Sequence, residues 1–263
     1  MDSLTSYYHS LLRTYRNTLD DALSSANEDA VHDLRVTTKR LNAIYQLVSF
    51  VDPQFKAQKS FRPFKTIFDS FGSVRDLDIA AAVVHRTKRL PGSTTARLEQ
   101  YLVLRRDKTL DSLRSTIRKQ RKLGEPSSSV EDILSSIDEK GLGRFLRGIQ
   151  SEIGEQTRHD ASVRRLHRAR RLYKIYLYLS EAADMRGAAH PLRLERIQST
   201  QRSLGKWHDL VIVIECLEEL RKHVPISKSD LTTVINEIKA RERRTRKRIL
   251  KTIATQKIRS TVS

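Results

Sequence analysis

Two short sets of cationic side chains carry most of the chemistry that this sequence offers. Each set holds a histidine, an arginine and a lysine at relative positions 0, 3 and 7. The first set is His32, Arg35 and Lys39, and the second is His167, Arg170 and Lys174. A rotation of about 100° per residue places the members of each set on one side of a helix. Arginine suits bidentate contact with phosphate, lysine acts as a point charge, and histidine adds a positive charge that depends on pH. The pattern therefore predicts a surface for an anionic ligand.

A second landmark follows each set at nearly the same distance. Residues 71–77 read FGSVRDL and residues 204–210 read LGKWHDL. Two landmarks in the same order predict a duplicated unit of roughly 130 residues. Residues 124–129 read GEPSSS, which is typical of a linker, and they lie where the duplication places a boundary. We therefore expect an N-terminal bundle over 1–125 and a C-terminal bundle over 126–263, packed together because a bundle with one cationic face would be a poor independent domain.

The spacing of apolar residues predicts an all-α protein. Apolar residues recur every three or four positions almost throughout, and the nine glycines and six prolines fall between these periodic segments. The predicted helices cover 2–23, 28–51, 54–71, 74–90, 94–122, 130–157, 160–185, 190–204, 207–223 and 228–258. The helices that carry the two cationic sets are amphipathic, with leucine, valine and tyrosine side chains opposite the histidine. Their cationic strips contain almost no acidic residue before Glu181.

The overall charge favours a polyanionic partner. The chain has 50 Lys+Arg against 31 Asp+Glu, a formal net charge of +19, and both halves share the excess. Nucleic acid, an anionic membrane surface and a phosphate polymer all fit this charge. The single cysteine, Cys216, lies in an apolar run and is expected to be a buried small hydrophobe. With neither a signal peptide nor a membrane-spanning run in view, we expect a cytoplasmic protein with no membrane partner.

The paired motifs resemble the CHAD domain, an α-helical domain named for its histidines. The resemblance rests on residues 31–41, VHDLRVTTKRL, on residues 72–78, GSVRDLD, and on their second copies. It implies two helical bundles related by pseudo-two-fold symmetry around a central basic groove or pore. It also implies binding of inorganic polyphosphate without catalysis by the domain itself, and thus a protein that could associate with polyphosphate granules.

The resemblance also implies which residues face the ligand. In the first half these are His32, Arg35, Lys39, Arg40, Lys65 and Arg75, and in the second they are His167, Arg170, Arg171 and Lys174. The second half departs from the family pattern, with Ile175 in place of a partner for Arg40 and Gln198 in place of a partner for Lys65. Further basic residues could supplement the groove, namely Arg193, Arg105, Arg106, Arg241 and Arg244.

Two other functions stay open at the level of the sequence. A nucleic-acid-binding protein would share the charge, but the aromatic content of 6% offers few side chains for base stacking. A metal-dependent phosphohydrolase could use His208 and Asp209, yet it lacks a third and fourth ligand at helical spacing. We therefore expect a binding protein rather than an enzyme, with no cofactor, no metal and no obligate protein partner.

Overall fold

A computed structural model describes residues 2–25, 27–87, 92–118, 128–158, 161–182, 191–224 and 226–260, apart from the side chains of 2, 3, 116, 118, 191–194 and 256–260. All regular secondary structure within these ranges is helical, which confirms the predicted all-α class. In chain order the helices are α1 (Asp2–Ser24), α2 (Glu28–Val51), α3 (Ala57–Ser70), α4 (Gly72–His85), α5 (Gly92–Arg118), α6 (Ser128–Ser136), α7 (Glu139–Gln156), α8 (Val163–Ala182), α9 (Pro191–Glu219) and α10 (Lys228–Ser260), with a short 3-10 turn at Leu220–Lys222.

The predicted helix over 130–157 is two helices, α6 and α7. Asp138 stands between them with an extended backbone, and its Oδ1 accepts a hydrogen bond of 2.7 Å from the backbone N–H of Gly141. An aspartate that accepts from the third residue after it is an N-cap, and it starts a new helix. The prediction missed this cap because the apolar periodicity continues on both sides of it.

The two predicted helices over 190–204 and 207–223 form the single helix α9. Gly205 lies inside α9, whereas Gly72, its counterpart in the first repeat, begins α4. A glycine inside a helix costs only about 1 kcal/mol relative to alanine. Leu204 and Trp207 on either side of Gly205 are fully buried, and their packing favours the continuous helix.

The chain divides into two compact units that do not follow the predicted halves. The first unit consists of residues 1–69 and 119–201, and the second consists of residues 70–118 and 202–263. Each unit therefore takes one segment from each of the predicted halves, 1–125 and 126–263. The duplication and its two-fold symmetry stay predictions from the sequence.

In the first unit, α2 is the central element. It packs against α1, α6, α7 and α8. Its apolar face is buried, including Leu34, Leu41 and Val48, as the amphipathic pattern predicted. The rings of Tyr45 on α2 and Phe64 on α3 have their centroids 6.0 Å apart, and this contact joins the two helices.

The second unit has its own core from α4, α5, α9 and α10. Its fully buried side chains include Val84, Leu98, Val213 and Ile238, one from each of these helices. Trp207 is also fully buried, and its Nε1 donates a hydrogen bond of 2.7 Å to Oε1 of Glu242. This bond links α9 to α10 next to the basic run of α10.

Candidate functional site

The first unit brings the two cationic helices into contact, since α2 packs against α8. The start of α2 is fixed by Asn27, whose Oδ1 accepts a hydrogen bond of 2.7 Å from the backbone N–H of Ala30. Glu28 and Asp29 in the first turn complement the helix dipole. With its apolar face buried, α2 directs His32 to the surface and leaves Arg35 half-buried.

Arg35 and Lys39 lie over the ring of Phe68, which belongs to α3. The Arg35 Cζ is 3.9 Å from the ring centroid and the Lys39 Nζ is 5.3 Å from it. Arg35 Nη1 also donates a hydrogen bond of 2.6 Å to the backbone carbonyl of Phe68. Cation–π contact and a charged hydrogen bond hold the two cations side by side before any ligand arrives. Phe68 was not predicted from the sequence, because a single aromatic residue on an amphipathic helix looks like an ordinary core residue.

Arg40 joins the two cationic helices. Its Nη2 lies 3.2 Å from Oε2 of Glu181, and its Cζ lies 5.2 Å from the ring centroid of Tyr178. Both Glu181 and Tyr178 belong to α8. Burial raises the pKa of Tyr178, while the positive charges of Arg40 and Arg170 oppose that rise. Tyr178 thus lies next to Arg40 of α2, and the charge of Arg170 on its own helix also reaches its hydroxyl.

Tyr7 of α1 joins Arg40, Tyr178 and Glu181 in one cluster of interacting side chains. Burial raises the pKa of its hydroxyl, the charge of Arg40 lowers it, and the charge of Glu181 raises it. The Nε of Arg40 is buried and makes no hydrogen bond within the described residues. Arg40 is therefore held by one carboxylate and by aromatic neighbours rather than by a full set of acceptors.

On α8 the cationic side chains crowd one another. His167, Arg170 and Lys174 are half-buried and Arg171 is exposed. Burial lowers the pKa of His167, and the charges of Arg170 and Arg171 lower it further. Burial is the larger of the two causes, and the positive charges of the neighbouring arginines add to it. A bound anion next to the imidazole would raise the pKa of His167.

Lys65, the predicted site residue of α3, is engaged locally. Lys65 is exposed and pairs with Asp69, one turn further along the helix. Arg193 lies in α9, and its side chain is outside the described residues. With these two, the first unit contains ten of the predicted residues, namely His32, Arg35, Lys39, Arg40, Lys65, His167, Arg170, Arg171, Lys174 and Arg193.

The second unit contains the remaining predicted residues. Arg75 on α4 is half-buried, and Arg105 on α5 is exposed. Arg106 donates from Nε to Oδ1 of Asp78 at 2.5 Å, and the side chain of Asp78 is only 5% exposed. Arg106 thus has a structural partner on α4. On α10, Arg241 is half-buried and Arg244 is exposed.

In the described ranges, no three His, Cys, Asp or Glu side chains lie close enough together to hold a metal ion. No helix in the described part of the chain has the length and apolar character needed to cross a bilayer.

Comparison with known proteins identifies the family. A family model for the CHAD domain matches residues 6–218. The chain belongs to the CHAD domain family. No curated protein matches the sequence. The fold of this CHAD protein is similar to the crystal structure of the CHAD domain from the plant Ricinus communis, at a TM-score of 0.73 and 16% identity, over 92% of this chain and 86% of that one. It is also similar to PptA from Streptomyces chartreusis, at a TM-score of 0.65 and 15% identity, over 96% of this chain and 98% of that one.

Membership in the CHAD family fits the observed arrangement of the two cationic sets. The matched range includes both helices, α2 and α8, and ends within α9. The long basic helix α10 lies wholly beyond it.

Proposed function

We propose that this CHAD protein binds inorganic polyphosphate on the cationic surface formed by α2 and α8. The observation that carries the proposal is the packing of α2 against α8, with Arg40 of α2 over the ring of Tyr178 and paired with Glu181 of α8. A polymer with one charge on every phosphate could contact several of these cations at once. The groove or pore that the family resemblance implies is part of this proposal.

The character of the cations supports a phosphate ligand. Arg35 and Lys39 are placed together by Phe68, so little conformational entropy is lost when they take up phosphate oxygens. On α8, His167, Arg170 and Arg171 are close enough to influence one another. Such a surface gains most from a ligand that carries several negative charges at short intervals. A single carboxylate would neutralise only a small part of it.

The test compares two triple variants that remove equal charge. Lys39→Gln with Arg170→Gln and Lys174→Gln alters the proposed surface and leaves Arg35, which anchors α3, in place. Arg13→Gln with Arg16→Gln and Arg62→Gln alters exposed residues elsewhere in the first unit. Calorimetric titration with polyphosphate of defined length should show at least a tenfold loss of affinity for the first variant and less than threefold for the second. Equal losses would mean general attraction to a basic protein.

Salt dependence and competition complete the test. Binding to a polyanion releases counterions, so affinity should fall steeply as salt rises, and the first variant should show a shallower slope. Single-stranded RNA at the same salt should compete poorly with polyphosphate. If RNA displaced polyphosphate efficiently, the surface would belong to a nucleic-acid-binding protein.

The proposal describes a binding protein and not an enzyme. Incubation of polyphosphate with the protein and a divalent metal ion should therefore release no inorganic phosphate. Release that His208→Ala abolished would instead support the phosphohydrolase. A cytoplasmic location with recruitment to polyphosphate granules follows from the same proposal, and a fluorescent fusion observed with and without cellular polyphosphate would test it.

A further inference from the structure

A second cationic surface lies on α10, within the second unit. Its members are exposed and follow one another along one side of the helix, namely Arg243, Arg244, Lys247, Arg248 and Lys251. The opposite side of α10 is buried through Ile238, Ile249 and Ile253. We call the five exposed residues the α10 strip. Because the buried side fixes the rotation of the helix, the strip points to solvent.

The α10 strip has no internal counterions. The sequence contains no acidic residue from 243 to 260. Glu242, the last acidic residue before the strip, is 8% exposed and faces Trp207, with the Nε of Arg246 3.4 Å from its Oε1. Across the described residues, none of the five side chains of the strip makes an ion pair or a hydrogen bond.

Such an arrangement costs stability in the absence of a ligand. Arg243 and Lys247, and likewise Arg244 and Arg248, are like-charged pairs at positions i and i+4, and such pairs repel one another and destabilise a helix. The helix dipole favours cations only in the last turn, and the strip ends well before Ser260. A bound polyanion would screen the repulsion between these cations and would itself be attracted to the strip.

The composition of α10 distinguishes between polyanions. Helix α10 contains no Phe, Tyr or Trp, and therefore offers no ring on which the bases of a single strand could stack. From Lys228 to Thr255 its exposed side carries serine, threonine and asparagine besides the cations, so this described part of α10 presents no exposed apolar side chain to insert into a bilayer. Contact with the phosphates of a duplex needs neither an aromatic ring nor an exposed apolar side chain, because basic side chains alone suffice.

We propose that the α10 strip binds the phosphate backbone of duplex nucleic acid without sequence preference. This inference does not depend on polyphosphate binding by α2 and α8. It assigns the two anionic ligands to different helices, with the duplex on α10 and the inorganic polymer on α2 and α8. A duplex bound in this way should be insensitive to changes in its base sequence.

The experiment measures binding of a fluorescent 20-base-pair DNA duplex by anisotropy over a range of salt concentrations. The test variant is Arg243→Gln with Arg244→Gln, Lys247→Gln and Arg248→Gln. The control removes the same charge from exposed residues of the first unit, through Arg13→Gln, Arg16→Gln, Lys59→Gln and Arg62→Gln. Circular dichroism and the fluorescence of Trp207 check that both variants fold.

The test variant should bind the duplex at least tenfold more weakly. The slope of log K against log salt should fall by up to about 3.6, because the variant removes four cations and each phosphate contact contributes about 0.9. The control should lose less than threefold. Duplex affinity that is the same in both variants would overturn the inference.

Two further arms separate this inference from its alternatives. The test variant should keep its affinity for polyphosphate within threefold, and an equal loss for both ligands would make the strip part of the polyphosphate surface. Flotation with vesicles containing phosphatidylserine should show weak binding that the test variant leaves unchanged. Vesicle binding that the test variant abolished while duplex binding persisted would assign the strip to a membrane surface.

Discussion

At the scale of single residues, Glu181 is an acidic side chain that lies among the cations where α2 meets α8. It pairs with Arg40, although both side chains are partly exposed, at 34% for Arg40 and 42% for Glu181. Pairs of this exposure contribute about 0–1 kcal/mol to stability. Glu181 therefore acts as a weak internal competitor that a phosphate ligand must displace from Arg40.

Glu181→Gln should strengthen polyphosphate binding by about two- to fivefold, since a change of up to about 1 kcal/mol corresponds to that factor. Calorimetric titration with polyphosphate measures this change in affinity. The same substitution in an Arg40→Gln background should give no gain, because the cation that Glu181 occupies is then absent. A similar gain in both backgrounds would show that Glu181 acts through the net charge alone.

His167 should respond to both pH and ligand. Because burial and its arginine neighbours lower the pKa of His167, the imidazole is neutral in the free protein near pH 7. The unfolded chain takes up this proton more readily, so His167 reduces stability as pH falls below about 6.5. Bound phosphate favours the charged imidazole, and affinity should therefore rise over the same range.

Nuclear magnetic resonance of the imidazole, assigned through His167→Gln, tests this expectation. The free protein should show a pKa below 6.5, and saturating polyphosphate should raise it by about one pH unit. Arg171→Gln should raise the pKa of His167 in the free protein, because it removes one of the charges that lower it. A pKa that polyphosphate leaves unchanged would place His167 away from the ligand.

At the scale of the helix, similar arginines serve different purposes. Arg35 joins α2 to α3 and keeps its charge next to Lys39, whereas Arg106 on α5 pairs with the buried Asp78 of α4. Loss of a partner from a buried pair is expensive because the remaining charge stays in a poorly solvated place. Arg106 therefore has a structural task that the basic pattern of α5 does not reveal.

Arg106→Gln should lower the free energy of unfolding by about 2–4 kcal/mol, whereas Arg105→Gln, an exposed neighbour, should change it by less than about 0.5 kcal/mol. Urea denaturation followed by circular dichroism measures both. Polyphosphate affinity of the folded Arg106→Gln protein should equal that of Arg105→Gln. A loss of polyphosphate affinity in the Arg106 variant alone would show that Arg106 belongs to the binding surface.

At the scale of the whole molecule, the two compact units combine distant parts of the chain. The first unit needs residues 1–69 and 119–201, and the second needs 70–118 and 202–263. Neither predicted half, 1–125 or 126–263, contains a complete unit. Each half alone would expose apolar surface that its counterpart covers, for example where α2 meets α8.

The separate fragments 1–125 and 126–263 should therefore lack fixed tertiary structure, and mixing them should restore it. Near-ultraviolet circular dichroism and the dispersion of amide resonances report on this packing. The restored complex should also regain polyphosphate binding. A fragment that showed a cooperative unfolding transition by itself would contradict the expectation.

Local sequence determined the helices and the chemical character of their faces. The bounds of α2 were predicted at 28–51 and are found there, because caps, apolar periodicity and charge act within a few residues of one another. The paired motifs also gave the family. The predicted break at Gly205 was wrong, since burial of Leu204 and Trp207 outweighs the modest helix penalty of one glycine.

Tertiary structure alone decided which cations meet and which are neutralised. Arg40 and Glu181 are 141 positions apart, and neither has a local feature that selects the other. Arg35 over Phe68 and Arg106 beside Asp78 likewise depend on how one helix packs on another. Helical periodicity fixes the direction of a side chain relative to its own axis. Its partner is set by packing between distant segments, which a local pattern does not encode.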